Sequence, residues 1–449
     1  MADSKFDVVV VGGGLSGLSA ARRLRESGLS VVVLEARDRL GGRTCTVEVA
    51  GQKVDVGGQW IGPGQDRVLA LIEELGVSIY PQHHQGSSTV ELDGEISRYR
   101  GFLPKVGAKA LLDLGRAIFK LERGAKRVPT DHPWNAPDAK ALDSMSVEDW
   151  TNETTKNRNA REVMRVACNA ILAEEPANIS WLHYLFYASG AGGFTPLAEV
   201  RGGAQQDRIS GGAQQLSEGL SRLSGAEVRL SEPVTRIAQQ RDGVAVTTHV
   251  ETYEARFAVI ALAPPMCDGI AFDPPLPEQR RRLQAELAMG SVCKCIVGYD
   301  RPFWRDRGIS GEGISNGRWA RLFFDATSPG ADGGALVAFV FSDAAKEFGR
   351  KPEAERRQLI VEDLRRLYGP EAGDPRWYVD KDWSSEIYSG GCYAALFARG
   401  QVTELGPALR KPVGLLHFAG TETATRWVGY MDGALQAGVR AAEEILARD

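Results

Sequence analysis

The sequence predicts an α/β fold: a Rossmann-like βαβ frame interrupted by a second, α+β unit. Three observations predict it. Residues 6–11 form an apolar, Val-rich run of strand length, as a buried parallel strand requires. A glycine-rich turn, Gly12-Gly13-Gly14-Leu15-Ser16-Gly17, follows at once, and a second Val-rich run over 30–34 ends at Glu35. Strand-like and helical segments of the same kind return in the middle and at the far end of the sequence, so the frame is discontinuous.

Each element has its own reason. After the glycine turn, Leu15, Leu18 and Leu24, with small Ala20 and Ala21, give a helix one apolar face, and Gly28 is placed to end it. Helical patterning recurs around 108–124 and 157–173, with a loop at His132-Pro133-Trp134-Asn135-Ala136-Pro137 between them. Strand patterning recurs at 226–230, 243–249 and 258–261, where Pro264-Pro265 stops it, and again around Phe339. Residues 434–447 read as a helix with Ala, Leu and Val on one side. The frame is therefore assigned to 1–79, 208–284 and 388–449, and the second unit to 80–207 and 285–387.

Composition excludes several classes. A chain of 449 residues accommodates about two to four folding units. Lys plus Arg (54) nearly balances Asp plus Glu (58), which argues against a nucleic-acid binder. No stretch reaches the roughly 18 apolar residues that span a bilayer, and the start, Met1 to Lys5, lacks a secretory pattern. The six cysteines are scattered and form no Cys-x-x-Cys, which fits a reducing cytoplasm better than a disulfide framework. The one close histidine pair, His83-His84, is adjacent in sequence and unsuited to converge on a metal, so none is expected.

The glycine turn carries the first chemical signal. Gly12, Gly14 and Gly17 fit G-x-G-x-x-G: the first permits the tight turn, the second lets a pyrophosphate approach the backbone, and the third lets helix and strand pack closely. The helix that follows offers unpaired N–H groups and a positive dipole end to phosphate. Glu35, about 20 residues on, stands where a carboxylate accepts hydrogen bonds from an unphosphorylated ribose, favouring FAD or NAD over NADP.

The next segment distinguishes those two. Glu35-Ala36-Arg37-Asp38-Arg39-Leu40-Gly41-Gly42-Arg43-Thr44 runs from the second strand into another glycine turn, and Gly57-Gly58-Gln59-Trp60 follows. This resembles the FAD signature of the flavin amine oxidase superfamily. Residues 418–434, Phe-Ala-Gly-Thr-Glu-Thr-Ala-Thr-Arg-Trp-Val-Gly-Tyr-Met-Asp-Gly-Ala, resemble the closing FAD motif of the monoamine oxidases. So do Tyr388-Ser389-Gly390-Gly391-Cys392-Tyr393, Gly290-Ser291-Val292-Cys293-Lys294-Cys295 and Pro302-Phe303-Trp304. The blocks keep the family's order from Val8 to Leu446.

The resemblance implies an FAD-binding domain of the p-hydroxybenzoate-hydroxylase type with an inserted substrate domain, in a soluble, bacterial-type relative without the anchor helix of the animal enzymes. It implies that Gly12, Gly14, Ser16, Gly17, Glu35, Ala36, Arg37, Arg43, Gly57, Gly58, Gln59, Trp60, Val234, Trp383, Gly420, Thr421, Glu422, Tyr430, Met431 and Ala434 hold the cofactor. Arg43 would face the pyrophosphate, and Gly57-Gly58 would let the backbone approach the flavin. Cys392 would form a thioether to the flavin 8α carbon, the other reading being a small buried thiol.

For catalysis it implies Lys294, which in the family holds a water against flavin N5 and assists reoxidation, together with Tyr393 and Tyr430, whose rings sandwich the amine. Trp60, Leu197, Gln205, Leu322, Phe324 and Phe339 would wall the substrate cavity. Asn169 and Ala170 fall where better-known members carry larger apolar residues.

The expected activity is oxidation of a primary amine with an apolar, alicyclic or arylalkyl body. The amine would lose a hydride equivalent to the flavin, oxygen would become hydrogen peroxide, and the imine would hydrolyse to an aldehyde or ketone with release of ammonia. The expected partners are a small amine and molecular oxygen, with no nucleic acid or membrane anchor; a homodimer is compatible. Three alternatives stand beside it. An L-amino-acid oxidase needs an arginine for the carboxylate, and none stands out. A polyamine oxidase needs a cavity acid, for which Glu199 is the candidate if extended backbone points it the same way as Leu197. A redox sensor would bind flavin without turnover.

Overall fold

The computed structural model describes residues 5–101 and 103–448. Met1 to Ser4, part of the start read above as lacking a secretory pattern, lie outside the described residues, as do Phe102 and Asp449.

Valine runs with no polar alternation belong in a sheet covered on both faces, and this is what they build. Lys5–Val11 pairs in parallel with Val31–Leu34 on one side and Thr252–Ile260 on the other. Glu227–Arg229 extends the sheet beyond Val31–Leu34, and Leu416–Phe418 lies parallel to the end of Thr252–Ile260. Val244–Thr248, Val234–Gln239 and Ala271–Asp273 complete eight strands. The strand expected at 258–261 begins earlier, at Thr252. Its first half alternates buried and exposed residues against Val244–Thr248, so it lacks the continuous apolar run that marks its second half.

The helices Leu15–Glu26 and Met431–Leu446 pack on one another over this sheet. Their close approach needs glycine: a Cβ on Gly438 would lie 2.1 Å from the Ser16 carbonyl oxygen. Gly28 has φ +88 just past the first helix, where the turn away requires it.

A second sheet of seven strands runs in the order Trp377–Asp382, Val292–Tyr299, Gly334–Phe341, Ala320–Asp325, Ile309–Ser315, Ser87–Leu92, Glu95–Tyr99. All neighbours are antiparallel except Ile309–Ser315 with Ser87–Leu92. Every residue of Val292–Tyr299 is buried. The alternation along it sends Cys293, Cys295 and Val297 into a core with Trp304 and Phe348, while Val292 and Ile296 join Phe324, Phe339 and Trp383 on the opposite face. Lys294 belongs to that opposite face, in register with Phe339.

A helical layer holds Ala108–Ala125, Val147–Thr154, Arg158–Leu172 and Trp181–Gly190 around Leu114, Leu121, Met164 and Tyr184. Ser146 caps one of these helices through a reciprocal box with Asp149, and Asn157 caps the next. No helix among the described residues is long and apolar enough to cross a membrane.

Candidate active site

One cavity of about 570 Å³ runs between the two sheets and the helical layer. Its lining begins at the glycine turn. Gly12 has φ +106, and a Cβ there would meet the Ala261 carbonyl oxygen at 3.0 Å. Gly17 is more constrained, because its Cβ would lie 1.9 Å from the Gly12 carbonyl oxygen. Gly14 differs from both: the nearest atom to a Cβ there is the Gly42 Cα, 3.9 Å away. Gly14 and Gly42 thus face each other across a cradle that side chains would fill.

Glu35 closes this end. Its carboxylate accepts from the Gly13 N–H at 2.7 Å and from the Arg37 N–H at 2.9 Å. Arg37 donates to the Ser389 hydroxyl at 2.8 Å and to Glu386 at 3.3 Å. Ala36, Val234 and Glu232 also line this end. Arg43 lines the cavity near Gly42, where its guanidinium donates to Glu422 Oε1 and to the Tyr393 carbonyl, both at 2.7 Å. Glu422 is not part of the lining; it braces Arg43 from behind and also accepts from the Ala395 N–H.

Gly57, Gly58, Gln59, Trp383 and Cys392 line the middle, with Gly420, Thr421, Met431 and Ala434. The missing Cβ of Gly57 faces the Arg43 carbonyl oxygen at 2.5 Å, so this glycine is required for chain-on-chain packing as well as for an open wall. Cys392 is buried, and burial pushes its thiol up to about 12.

Lys294 enters from its strand. Its Nζ donates to the Gly57 carbonyl at 2.9 Å and to Gln59 Oε1 at 2.5 Å, and lies 5.7 Å from the ring centres of both Trp60 and Phe339. Burial drives its pKa down to about 7, against the opposing pull of the Asp55 carboxylate.

The far end is aromatic. Trp60 meets Phe324 edge-on at 4.9 Å and is fixed by a 2.8 Å hydrogen bond from its indole N–H to Gln82. Leu322, Phe339, Tyr393 and Tyr430 share the lining. Gln205 lines it too, with its amide N–H on the Leu197 carbonyl at 3.1 Å and its Oε1 buried without a partner among the described residues.

Three expectations need correction. Leu197 does not line the cavity; it sits in the short helix Phe194–Ala198 and packs into the helical layer. Glu199 follows that helix directly, so the extended geometry that aligned it with Leu197 does not arise, and it too is absent from the lining. Asn169 is buried away from the cavity, bonded to Ser342, Arg321 and the Glu174 carbonyl, which leaves only Ala170 of that pair on the wall. The sequence reading also missed Tyr187, whose ring lies 6.2 Å from Tyr430 on the cavity wall. Its helix, Trp181–Gly190, is almost entirely buried, so periodicity could not show which side faces the cavity.

The donor set fits a flavin dinucleotide. The Gly14–Gly42 cradle admits a phosphate at a helix N-terminus, and Ser16 Oγ, Gln59 Nε2 and Gln205 Oε1 are buried lining atoms without partners among the described residues. The family of flavin containing amine oxidoreductases matches residues 15–446. The chain is 39% identical to human amine oxidase [flavin-containing] B over 449 residues, covering 99% of this chain and 86% of that protein.

The chain belongs to the flavin-containing amine oxidase family.

Among solved structures, this family member superposes on cyclohexylamine oxidase from Brevibacterium oxydans IH-35A with a TM-score of 0.94 at 32% identity, covering 99% of both chains. It superposes equally on wild-type putrescine oxidase bound to putrescine, with a TM-score of 0.94 at 33% identity and 99% of both chains covered. The enzyme is thus an FAD-dependent amine oxidoreductase, and its relatives act on both monoamines and a diamine.

Proposed function

We propose that the enzyme oxidises a primary amine with an apolar body, alicyclic or arylalkyl, using oxygen as acceptor. The observation that carries this is the lining of the aromatic end. Trp60, Ala170, Ile171, Tyr187, Gln205, Leu322, Phe324, Phe339, Tyr393 and Tyr430 offer rings, alkyl groups and one amide, and no carboxylate among the described residues. The two lining acids, Glu35 and Glu232, belong to the glycine-turn end, where Gly13 and Arg37 N–H groups engage the first and the Tyr253 and Thr248 hydroxyls the second. A diamine would bury its distal ammonium there unpaired, which is costly. An amino acid would lack its counter-ion, because both lining arginines are engaged: Arg37 with Glu386 and Ser389, Arg43 with Glu422.

FAD, when bound, supplies the two-electron acceptor. The protein contributes position and environment. Tyr393 and Tyr430, both on the lining, would present ring faces to a neutral amine, Gln205 Oε1 would accept one of its N–H bonds, and the apolar wall would exclude water. Lys294 would bring an ionisable nitrogen to the flavin, where it would assist reoxidation by oxygen. Cys392 is the residue for covalent attachment of the flavin.

The test is one peroxide-coupled assay comparing cyclohexylamine, benzylamine, putrescine and spermidine by kcat/KM. The monoamines should lead by about 10-fold or more, the discrimination expected from one unpaired buried charge. A clear lead for putrescine or spermidine would overturn the proposal and show that an acid reaches the cavity. Steady peroxide release excludes a sensor without turnover.

A further inference from the structure

The helix Ala108–Ala125 has two functional faces. Its inner face, Ala110, Leu114, Ala117, Leu121 and Ala125, is buried in the helical layer. Its outer face carries Leu112, Arg116, Phe119 and Arg123 at i, i+4, i+7 and i+11, one stripe of the helix. Leu112 is 56% exposed and Phe119 67%, each next to an arginine along that stripe.

The charge around them is one-sided. Between Lys105 and Arg127 the sequence has seven Lys and Arg against two carboxylates, in a chain whose net charge is −4. Both carboxylates have partners within the fold, and Asp113 also lies 3.9 Å from Arg116, which leaves the cations in excess. Asp113 accepts from the backbone N–H groups of Lys156 and Asn157 at 3.0 and 2.8 Å, and Glu122 accepts from the Thr195 N–H and hydroxyl. Lys109, Lys120 and Arg123 are exposed and have no ion pair among the described residues. The outer face is therefore cationic with two apolar side chains set into it.

We propose that this face docks the enzyme reversibly on an anionic lipid bilayer surface. Charge complementarity accounts for the cations, which meet lipid phosphates and fall silent at high salt. It does not account for Leu112 and Phe119, which a nucleic acid or soluble polyanion would leave in water. A bilayer interface takes both, with the alkyl and aromatic groups entering the acyl boundary beneath the headgroups. The inner face stays locked in the core, so the helix docks without leaving the fold. It packs on Arg158–Leu172 and Trp181–Gly190, the helices that bring Ala170, Ile171 and Tyr187 to the cavity, which puts the docked surface one helical layer from the aromatic end.

The test is co-sedimentation of the FAD-loaded full chain with vesicles of phosphatidylglycerol and phosphatidylcholine, against vesicles of phosphatidylcholine alone. The proposal expects binding to the anionic vesicles only, lost on raising salt from about 0.1 to 0.5 M. The double variant Leu112→Ser/Phe119→Ser should lower the partition coefficient about 10-fold or more, since each buried side chain of this size is worth about a tenfold change. It should keep its flavin absorbance and its amine turnover, and should retain heparin binding. Arg116→Glu/Arg123→Glu should abolish both vesicle and heparin binding. The proposal is overturned if the wild-type chain ignores anionic vesicles at about 0.1 M salt. It is equally overturned if the Leu112→Ser/Phe119→Ser variant binds them as well as wild type, which would make the face a plain polyanion patch.

Discussion

Lys294 donates to the side-chain oxygen of Gln59 at 2.5 Å from the middle of a strand in which every residue is buried. A lysine there must either find partners or lose its proton, and this one does both in part: two oxygens hold it, and burial brings its pKa to about 7. Lys294→Met should slow reoxidation of the reduced enzyme by oxygen about 10-fold or more while leaving reduction by amine near wild type, as expected for a charge that serves only the developing negative oxygen species. Stopped-flow measurement of the two half-reactions separates these outcomes; equal reoxidation rates would make the lysine structural.

The same group sets a pH dependence. Below about 7 it is protonated in both folded and unfolded chains; between 7 and its unfolded value of about 10.4 only the unfolded chain holds the proton. The unfolded state then binds more protons, so stability rises with pH across that window. The cost of the buried charge is therefore complete below about 7 and relieved above it. Wild type should gain stability relative to Lys294→Met as pH is raised from 7 to 10, read by thermal melts of both proteins. Asp55→Asn removes the carboxylate that opposes the shift and should move the onset to lower pH.

Two glycines of one turn should respond differently to the same methyl group. Gly17→Ala places a Cβ 1.9 Å from the Gly12 carbonyl oxygen and should prevent a stable fold. Gly14→Ala meets no protein atom closer than 3.9 Å and should fold, yet lose FAD affinity about 10-fold or more because the methyl occupies the phosphate cradle. Circular dichroism and flavin retention on gel filtration distinguish the two. Equal retention in Gly14→Ala would place the pyrophosphate elsewhere.

Much of this site was legible because its signals are local. The glycine turn, Glu35 and the Gly41-Gly42-Arg43 segment each impose a backbone demand that only certain residues meet. What lay outside reach depended on tertiary packing. Leu197 could be read as extended until the helix Phe194–Ala198 broke its alignment with Glu199, and Tyr187 sits in a helix buried on nearly every side. The partners of Arg43 were equally hidden, since Tyr393 and Glu422 lie 350 and 379 residues away along the chain.

Removing the carboxylate of that pair tests its weight. Glu422 is almost fully buried, and Glu422→Ala would leave the Arg43 guanidinium without its counter-ion and the Ala395 N–H without an acceptor. Breaking such a pair costs about 3–5 kcal/mol. The variant should melt at lower temperature and bind FAD more weakly, with both effects larger than in Glu422→Gln. Melting temperatures within a degree or two of wild type would mean that water replaces the carboxylate.

Cys392 decides whether the cofactor can leave at all. With a thioether, trichloroacetic acid should pellet yellow protein whose mass exceeds the polypeptide by one FAD, and Cys392→Ala should release the flavin to the supernatant. A colourless wild-type pellet would leave Cys392 a buried thiol.

The bond between Arg43 and Glu422 also orders events during synthesis. The glycine turn emerges from the ribosome well before the carboxylate that holds Arg43 and the helix Met431–Leu446 that packs against the first helix. Until then Arg43 lacks its counter-ion and the first helix lacks its partner. Flavin capture should therefore wait for the segment 422–446, and a nascent chain stalled before Glu422 should leave the flavin unbound.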